Sequence, residues 1–282
     1  MNIIGKGNVK YILNRIKRKG FLNLISGMNR KYIKSNYINI FLSKLISKNS
    51  MELDFPNVIQ IETRSGCNYN CSFCPTNKVK MKQGKMQQEL FDKIIKQLNR
   101  YNGYVSLFFR NEPLMDKRII SWAKKIKTET MAKVIIQTNG SLLTEEIARE
   151  LIQYADILVN DYTKEKKVEN KIVKWERDIS DRIIIVERNN DEVLTNRAGN
   201  IKGCGRTELN NSCVKPFTEL TITFSGTVVL CCQDWMEEAV IGDVNYQSIR
   251  EIWHSKKLNE IRNQLRKGNR VGICKKCDFI GV

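Results

Sequence analysis

The chain has 282 residues, 41% of them hydrophobic, and its 48 Lys and Arg against 30 Asp and Glu leave a net charge of +18. That composition fits a folded globular protein and excludes a disordered or fibrous one; a single histidine, His254, excludes His-based triads and multi-His metal sites. Nine cysteines, with no run long enough to span a membrane and no secretory leader pattern, read as reduced thiols of a cytoplasmic protein, some of them metal ligands, rather than as a disulfide framework.

Residues 1–52 form a first stretch. Eleven Lys or Arg and no acid occur up to Met51, with apolar residues such as Ile12, Ile16, Leu22, Ile25, Phe41 and Leu45 at helical spacing. A basic amphipathic extension of this kind suits peripheral contact with an anionic membrane or an acidic partner. It equally suits a helical cap with a solvated face. No aromatic-interleaved reader motif points to nucleic acid.

Residues 53–200 follow a strand–loop–helix rhythm. Strands are expected at Val58–Thr63, Tyr104–Phe109, Lys133–Thr138, Asp156–Asn160 and Arg182–Glu187. Helices are expected at Gln87–Leu98, Asp116–Lys127 and Thr144–Gln153, the last capped by Thr144 with Glu145 and Glu146 in its first turn. Such alternation implies right-handed parallel βαβ units, too few for a closed eightfold barrel. The expected fold is therefore α/β, an open partial barrel. Residues 201–282 differ: a hairpin at Glu219–Phe224 and Thr227–Cys232 turns at Ser225-Gly226, a helix runs over Ser248–Arg266, and Cys274 and Cys277 follow.

The chemistry rests with the cysteines. Cys67, Cys71 and Cys74 form C-x₃-C-x₂-C on the loop after the first strand. Three thiolates there can hold three irons of a [4Fe–4S] cube and leave the fourth iron open, whereas zinc would want a fourth protein ligand and none is near in sequence. With Phe73 before the third Cys, this motif on this loop resembles that of the radical S-adenosylmethionine (SAM) superfamily. The resemblance implies that the open iron chelates SAM, that the reduced cluster cleaves it to a 5′-deoxyadenosyl radical, and that a reducing partner such as flavodoxin or ferredoxin feeds the cluster. It also implies that Glu112, in Arg110-Asn111-Glu112-Pro113, accepts from the SAM amino group. Thr138 and Asn139 would lie near the SAM ribose and carboxylate, and Phe73 against the adenine.

Cys213, Cys231, Cys274 and Cys277 form a second set, able to close either an iron–sulfur or a zinc site. Gly226–Cys231, Ile241–Val244, Glu251–Trp253 and Cys274–Cys277 resemble the SPASM or twitch auxiliary-cluster domain, which implies one auxiliary [4Fe–4S] cluster in a C-terminal unit at 201–282. From Val58 to Cys277 the chain resembles the butirosin-pathway type of amino-cyclitol dehydrogenase, with which it shares an Asn-Arg-x-Gly turn, Asn196-Arg197-Ala198-Gly199. That branch implies substrate contact and catalysis near Arg197, with hydrogen abstraction from a hydroxyl-bearing carbon of a sugar or cyclitol and an electron passed to the auxiliary cluster. Two departures bear on the substrate: Arg110 and Gln233 stand where that branch has a Tyr and a substrate-contacting Glu, which permits an anionic substrate. Cys232 and Cys204 are left over. Either thiol could return a hydrogen atom in an epimerase, and a peptide-modifying maturase is a further alternative.

Overall fold

A computed structural model describes residues 53–188, 194–202 and 209–280. Its frame is one eight-stranded sheet in the order β5-β4-β3-β2-β1-β6-β7-β8. The strands are β1 (Val58–Ile61), β2 (Tyr104–Ser106), β3 (Lys133–Thr138), β4 (Ala155–Asp161), β5 (Ile183–Glu187), β6 (Glu219–Ile222), β7 (Thr227–Val229) and β8 (Val240–Asp243). β1 to β6 are mutually parallel, and β7 and β8 turn back antiparallel. β5 and β8 lie at opposite edges, so the sheet is open and the α/β partial-barrel expectation holds.

Parallel strands need crossovers, and the first three here are the predicted helices. α1 (Gln88–Lys96), α2 (Ile119–Glu129) and α3 (Glu145–Leu151) each turn an apolar stripe inward: Phe91, Ile94 and Ile95 from α1, Trp122, Ala123 and Ile126 from α2, Ala148 and Leu151 from α3. Phe91 stacks on Trp122 at 3.8 Å between centroids in the core. The Thr144 hydroxyl accepts from the Ile147 N–H, the cap that the sequence pattern predicts.

Some elements differ from expectation. α4 (Lys167–Ile172) and α5 (Arg177–Ser180) are short, charged helices whose buried faces hold two residues and one, too few to register as a period. The predicted helix over Ser248–Arg266 is two: α6 (Ile249–Trp253), with a full capping box from Ser248 and Glu251, and α7 (Lys256–Arg266), capped by Ser255. His254 therefore sits at a helix end rather than mid-helix, with Nε2 2.9 Å from the Asp54 carbonyl oxygen. The first strand of the C-terminal hairpin, β6, is also the sixth parallel strand, in register with all of β1.

Candidate active site

The parallel strands deliver their C-terminal ends to one side of the sheet, and the loops leaving them build the site. The loop after β1 begins at Ser65. Its amide donates to the Gly84 carbonyl and its hydroxyl accepts from the Gly84 N–H, at 2.9 and 2.8 Å, closing the base of a loop that contains all three motif cysteines. Within it the Cys74 N–H donates to the Cys71 carbonyl at 3.1 Å, and the Tyr69 N–H points at Cys67 Sγ at 3.4 Å. Cys71 is buried, and Cys67 and Cys74 are partly open.

Burial raises the Cys67 and Cys71 thiols, the latter to about 11, and the other two thiols of the loop add to the rise at Cys71. The donor set fits a [4Fe–4S] cube held at three corners.

The loop after β2 is tied to this one by the Glu112 N–H, which donates to the Gly66 carbonyl at 3.0 Å. The Glu112 carboxylate is almost wholly buried. It accepts from the Thr138 hydroxyl at 2.6 Å, the Asn139 N–H at 2.8 Å and the Leu114 N–H at 3.1 Å. Burial pushes this carboxyl up and those three hydrogen bonds pull it back. Asn139 Nδ2 donates in turn to Asn68 Oδ1 at 2.9 Å and lies 3.8 Å from Cys67 Sγ. Glu112, Thr138, Asn139 and Cys67 thus come together. Gly140 must be glycine: its φ is +75°, and a Cβ would lie 2.6–2.7 Å from Val168 and Val159. Phe73 is buried, its ring centroid 5.2 Å from that of Tyr162 at the end of β4.

Arg110 is placed differently from the expectation of a substrate contact. It is 2% exposed, and its donors go to the chain itself: Nε and Nη2 to Glu62 at 2.9 and 2.7 Å, Nη2 also to Glu237 at 3.0 Å, and Nη1 to the Trp235 carbonyl at 2.8 Å. The cation that sequence reading offers to a substrate anion is spent on two buried carboxylates. The signal for this was not local, since the partners lie 48 and 127 residues away.

The second cysteine set also assembles. Cys213, Cys231, Cys274 and Cys277 are all buried. Burial raises Cys231 well above its ordinary value, and the thiols of Cys232, Cys274, Cys213 and Cys277 raise it further, so the four predicted ligands share one neighbourhood. Cys274 and Cys277 rise to about 12 and about 11, again chiefly through burial. Four such thiols form a donor set that fits a fully protein-ligated cube.

The Asn196–Gly199 turn is latched to the C-terminal cysteine loop. The Asn196 N–H donates to Asp278 Oδ1 and Asn196 Nδ2 to the Lys276 carbonyl, both at 2.7 Å. Arg197 Nε is buried without a hydrogen-bond partner among the described residues. Gln233 is buried and accepts from the Thr195 hydroxyl at 2.8 Å, so it holds the same strap. Cys232, beside its ligand neighbour Cys231, is partly exposed. Cys204 and residues 1–52 lie outside the described residues. The sequence reading missed Tyr162, the Glu62 partner of Arg110, and Thr76, whose hydroxyl lies 3.2 Å from Cys74 Sγ. No motif marks any of the three.

Comparison with known proteins agrees with this geometry. Residues 61–162 match the radical SAM superfamily model and residues 213–278 match SPASM, an iron–sulfur cluster-binding domain. The S-adenosyl-L-methionine-dependent 2-deoxy-scyllo-inosamine dehydrogenase of Niallia circulans is 28% identical over 236 residues, covering 80% of this chain and 94% of that protein. The crystal structure of BtrN in complex with AdoMet and 2-DOIA superposes with a TM-score of 0.72 at 27% identity, over 79% of this chain and 93% of that one. Streptococcus suis SuiB bound to its precursor peptide SuiA, 13% identical with a TM-score of 0.54 over 95% of this chain and 89% of that one, shares the fold alone. A three-cysteine loop on β1, a buried glutamate on the β2 loop reaching the end of β3, and a four-thiol C-terminal set place the chain in the radical SAM superfamily, with a SPASM iron–sulfur domain.

Proposed function

We propose that the protein is a radical SAM dehydrogenase that oxidises a hydroxyl-bearing carbon of a small cyclic polyol, a cyclitol or sugar, to a ketone. When bound, the cluster on Cys67, Cys71 and Cys74 with SAM supplies hydrogen-atom abstraction, and the cluster on Cys213, Cys231, Cys274 and Cys277 supplies a one-electron acceptor. The chain's own residues do the rest. Glu112, fixed by Thr138 and Asn139, offers buried carboxylate oxygens to the SAM ammonium. Phe73, buried against the Tyr162 ring, would lie against the SAM adenine. Arg197 Nε, a buried donor with no described partner, is suited to a substrate hydroxyl as it loses its proton.

The observation that carries this reading is the latch from Asn196 to Lys276 and Asp278. It sets the substrate turn against the loop of Cys274 and Cys277, so an electron leaving the substrate has an acceptor beside it. Epimerisation and peptide modification are not favoured: the relative that spans most of this chain is a dehydrogenase. Because Arg110 is buried and paired with two carboxylates, a substrate anion draws little support from it, and a neutral or aminated polyol is the better fit.

The test is anaerobic turnover with SAM, a reductant and a panel of cyclitols and aminocyclitols. One 5′-deoxyadenosine per ketone is the expected outcome. Solvent deuterium at an inverted carbon, with no ketone, would replace dehydrogenation by epimerisation. The physiological reductant in this reading is a flavodoxin or ferredoxin. The basic stretch 1–52 is assigned to an acidic surface, either that partner or an anionic membrane. Deleting residues 1–50 should slow reduction by flavodoxin or abolish binding to anionic vesicles, and no change in either would remove the assignment.

A further inference from the structure

Arg270 is 8% exposed, and among the described residues its guanidinium meets only neutral oxygens. Nε donates to the Asn211 carbonyl at 2.8 Å, and Nη2 to Asn211 Oδ1 at 3.1 Å, the Phe279 carbonyl at 3.1 Å and the Ser212 carbonyl at 3.4 Å. These bonds staple the segment just before Cys213 to the segment just after Cys277. A buried cation without a carboxylate is expensive, because the interior does not replace the water it leaves. Arg110 shows how this chain meets that cost elsewhere, with two glutamates. Lys215 also lies near Cys213 and carries Glu219 at 2.9 Å, so that cation is already compensated. Arg270 is not.

Its compensation lies in the thiols. Its donors end on the carbonyl of Ser212, the residue before Cys213, and on that of Phe279, two residues after Cys277, so the buried guanidinium is held beside the ligand set. A cube ligated by four thiolates is a net anion and gains one more negative charge on reduction, and cluster potentials follow the charge and solvent exposure around them.

We infer that Arg270 is the built-in counter-charge of the auxiliary cluster, a positioning residue that raises its reduction potential so that it can take the electron from substrate oxidation. The inference rests on the dehydrogenase reading and goes beyond it by naming what tunes the acceptor. One electron enters the cluster, from dithionite in the test below, and no bond to Arg270 forms or breaks.

The test is a dithionite redox titration of the reconstituted full chain, followed by electron paramagnetic resonance, after counting iron and sulfide. Wild type should hold about eight irons, as two cubes require. In R270Q the auxiliary signal should move to lower potential, while the signal that disappears in the Cys67/Cys71/Cys74→Ala variant stays in place. R270K, which keeps the charge without the fork, should return most of the shift. R270Q with about eight irons and an unmoved midpoint overturns the inference, as does an equal shift of both signals. If R270Q holds only about four irons, R270K decides: a full complement at the wild-type midpoint supports the charge role, and loss of the cluster there too overturns it. Zinc in place of the second cube in wild type would overturn the dehydrogenase reading itself, which distinguishes that failure from this one.

Discussion

Cys67, Cys71 and Cys74 come from eight consecutive residues of one loop, and two of them are partly open to solvent. Cys213, Cys231, Cys274 and Cys277 come from three separated segments, and each is 6–8% exposed. On the proposed reading the first arrangement would leave a corner free and accessible, as a cluster that binds SAM requires. The second uses the whole C-terminal fold to exclude water from a cluster that has only to hold an electron. One site is a loop stapled at its base by Ser65 and Gly84. The other exists only once β6, β7 and the C-terminal segment have packed. Coordination number follows from that difference: a surface loop offers three ligands and an opening, and a packed interior offers four and none.

The largest effect that could break the comparison comes from the loop. Replacing Cys67, Cys71 and Cys74 together by Ala should lower iron from about eight to about four per chain and abolish SAM cleavage, read by 5′-deoxyadenosine formation. The matching change at Cys274 and Cys277 should also leave about four irons, yet keep SAM cleavage while ketone formation falls to background. If both variants lose SAM cleavage alike, the two sites are not separate. Next comes Arg110→Met, which strands Glu62 in the interior, while Glu237 keeps its pairing with Lys82. Loss of a buried partner costs about 3–5 kcal/mol, visible as a lower denaturation midpoint. Glu112→Gln keeps the shape and removes the charge facing the SAM amine. At about 1.5–3 kcal/mol for a charge-assisted bond, SAM affinity measured by calorimetry should fall roughly 10- to 100-fold. The smallest effect is expected from Asn196→Ala, which removes the side-chain bond to Lys276 at about 1 kcal/mol and should raise the substrate KM without changing 5′-deoxyadenosine formation in its absence.

What the sequence made legible follows the same division. The Cys67 loop, the β3 strand at its predicted bounds and the Thr144 cap are each written in a dozen residues or fewer, so spacing and residue type sufficed. Glu112 was legible because it sits in a motif. Arg110 was not, because only the folded chain brings Glu62 and Glu237 to it. β6 read as half of a hairpin, since the turn at Ser225-Gly226 is local and the pairing with β1 spans some 160 residues. The break at His254 was visible in principle, as Ser255 is a good cap, but an apolar face continuing through Leu258 and Leu265 hid it. Arg270 carries no motif at all.

The Asn196 turn runs through three successive left-handed residues, Arg197, Ala198 and Gly199, with φ of +50°, +53° and +91°. Only the glycine adopts such a backbone freely, and each of the other two costs about 1–2 kcal/mol. The loop of Lys276 and Asp278 supplies the bonds that hold the turn in this shape. On the proposed reading this couples two parts of the enzyme: a C-terminal cysteine loop not yet seated around its cluster would hold the turn, and with it Arg197, less firmly. An enzyme lacking its electron acceptor would thereby also loosen its grip on the molecule it must oxidise.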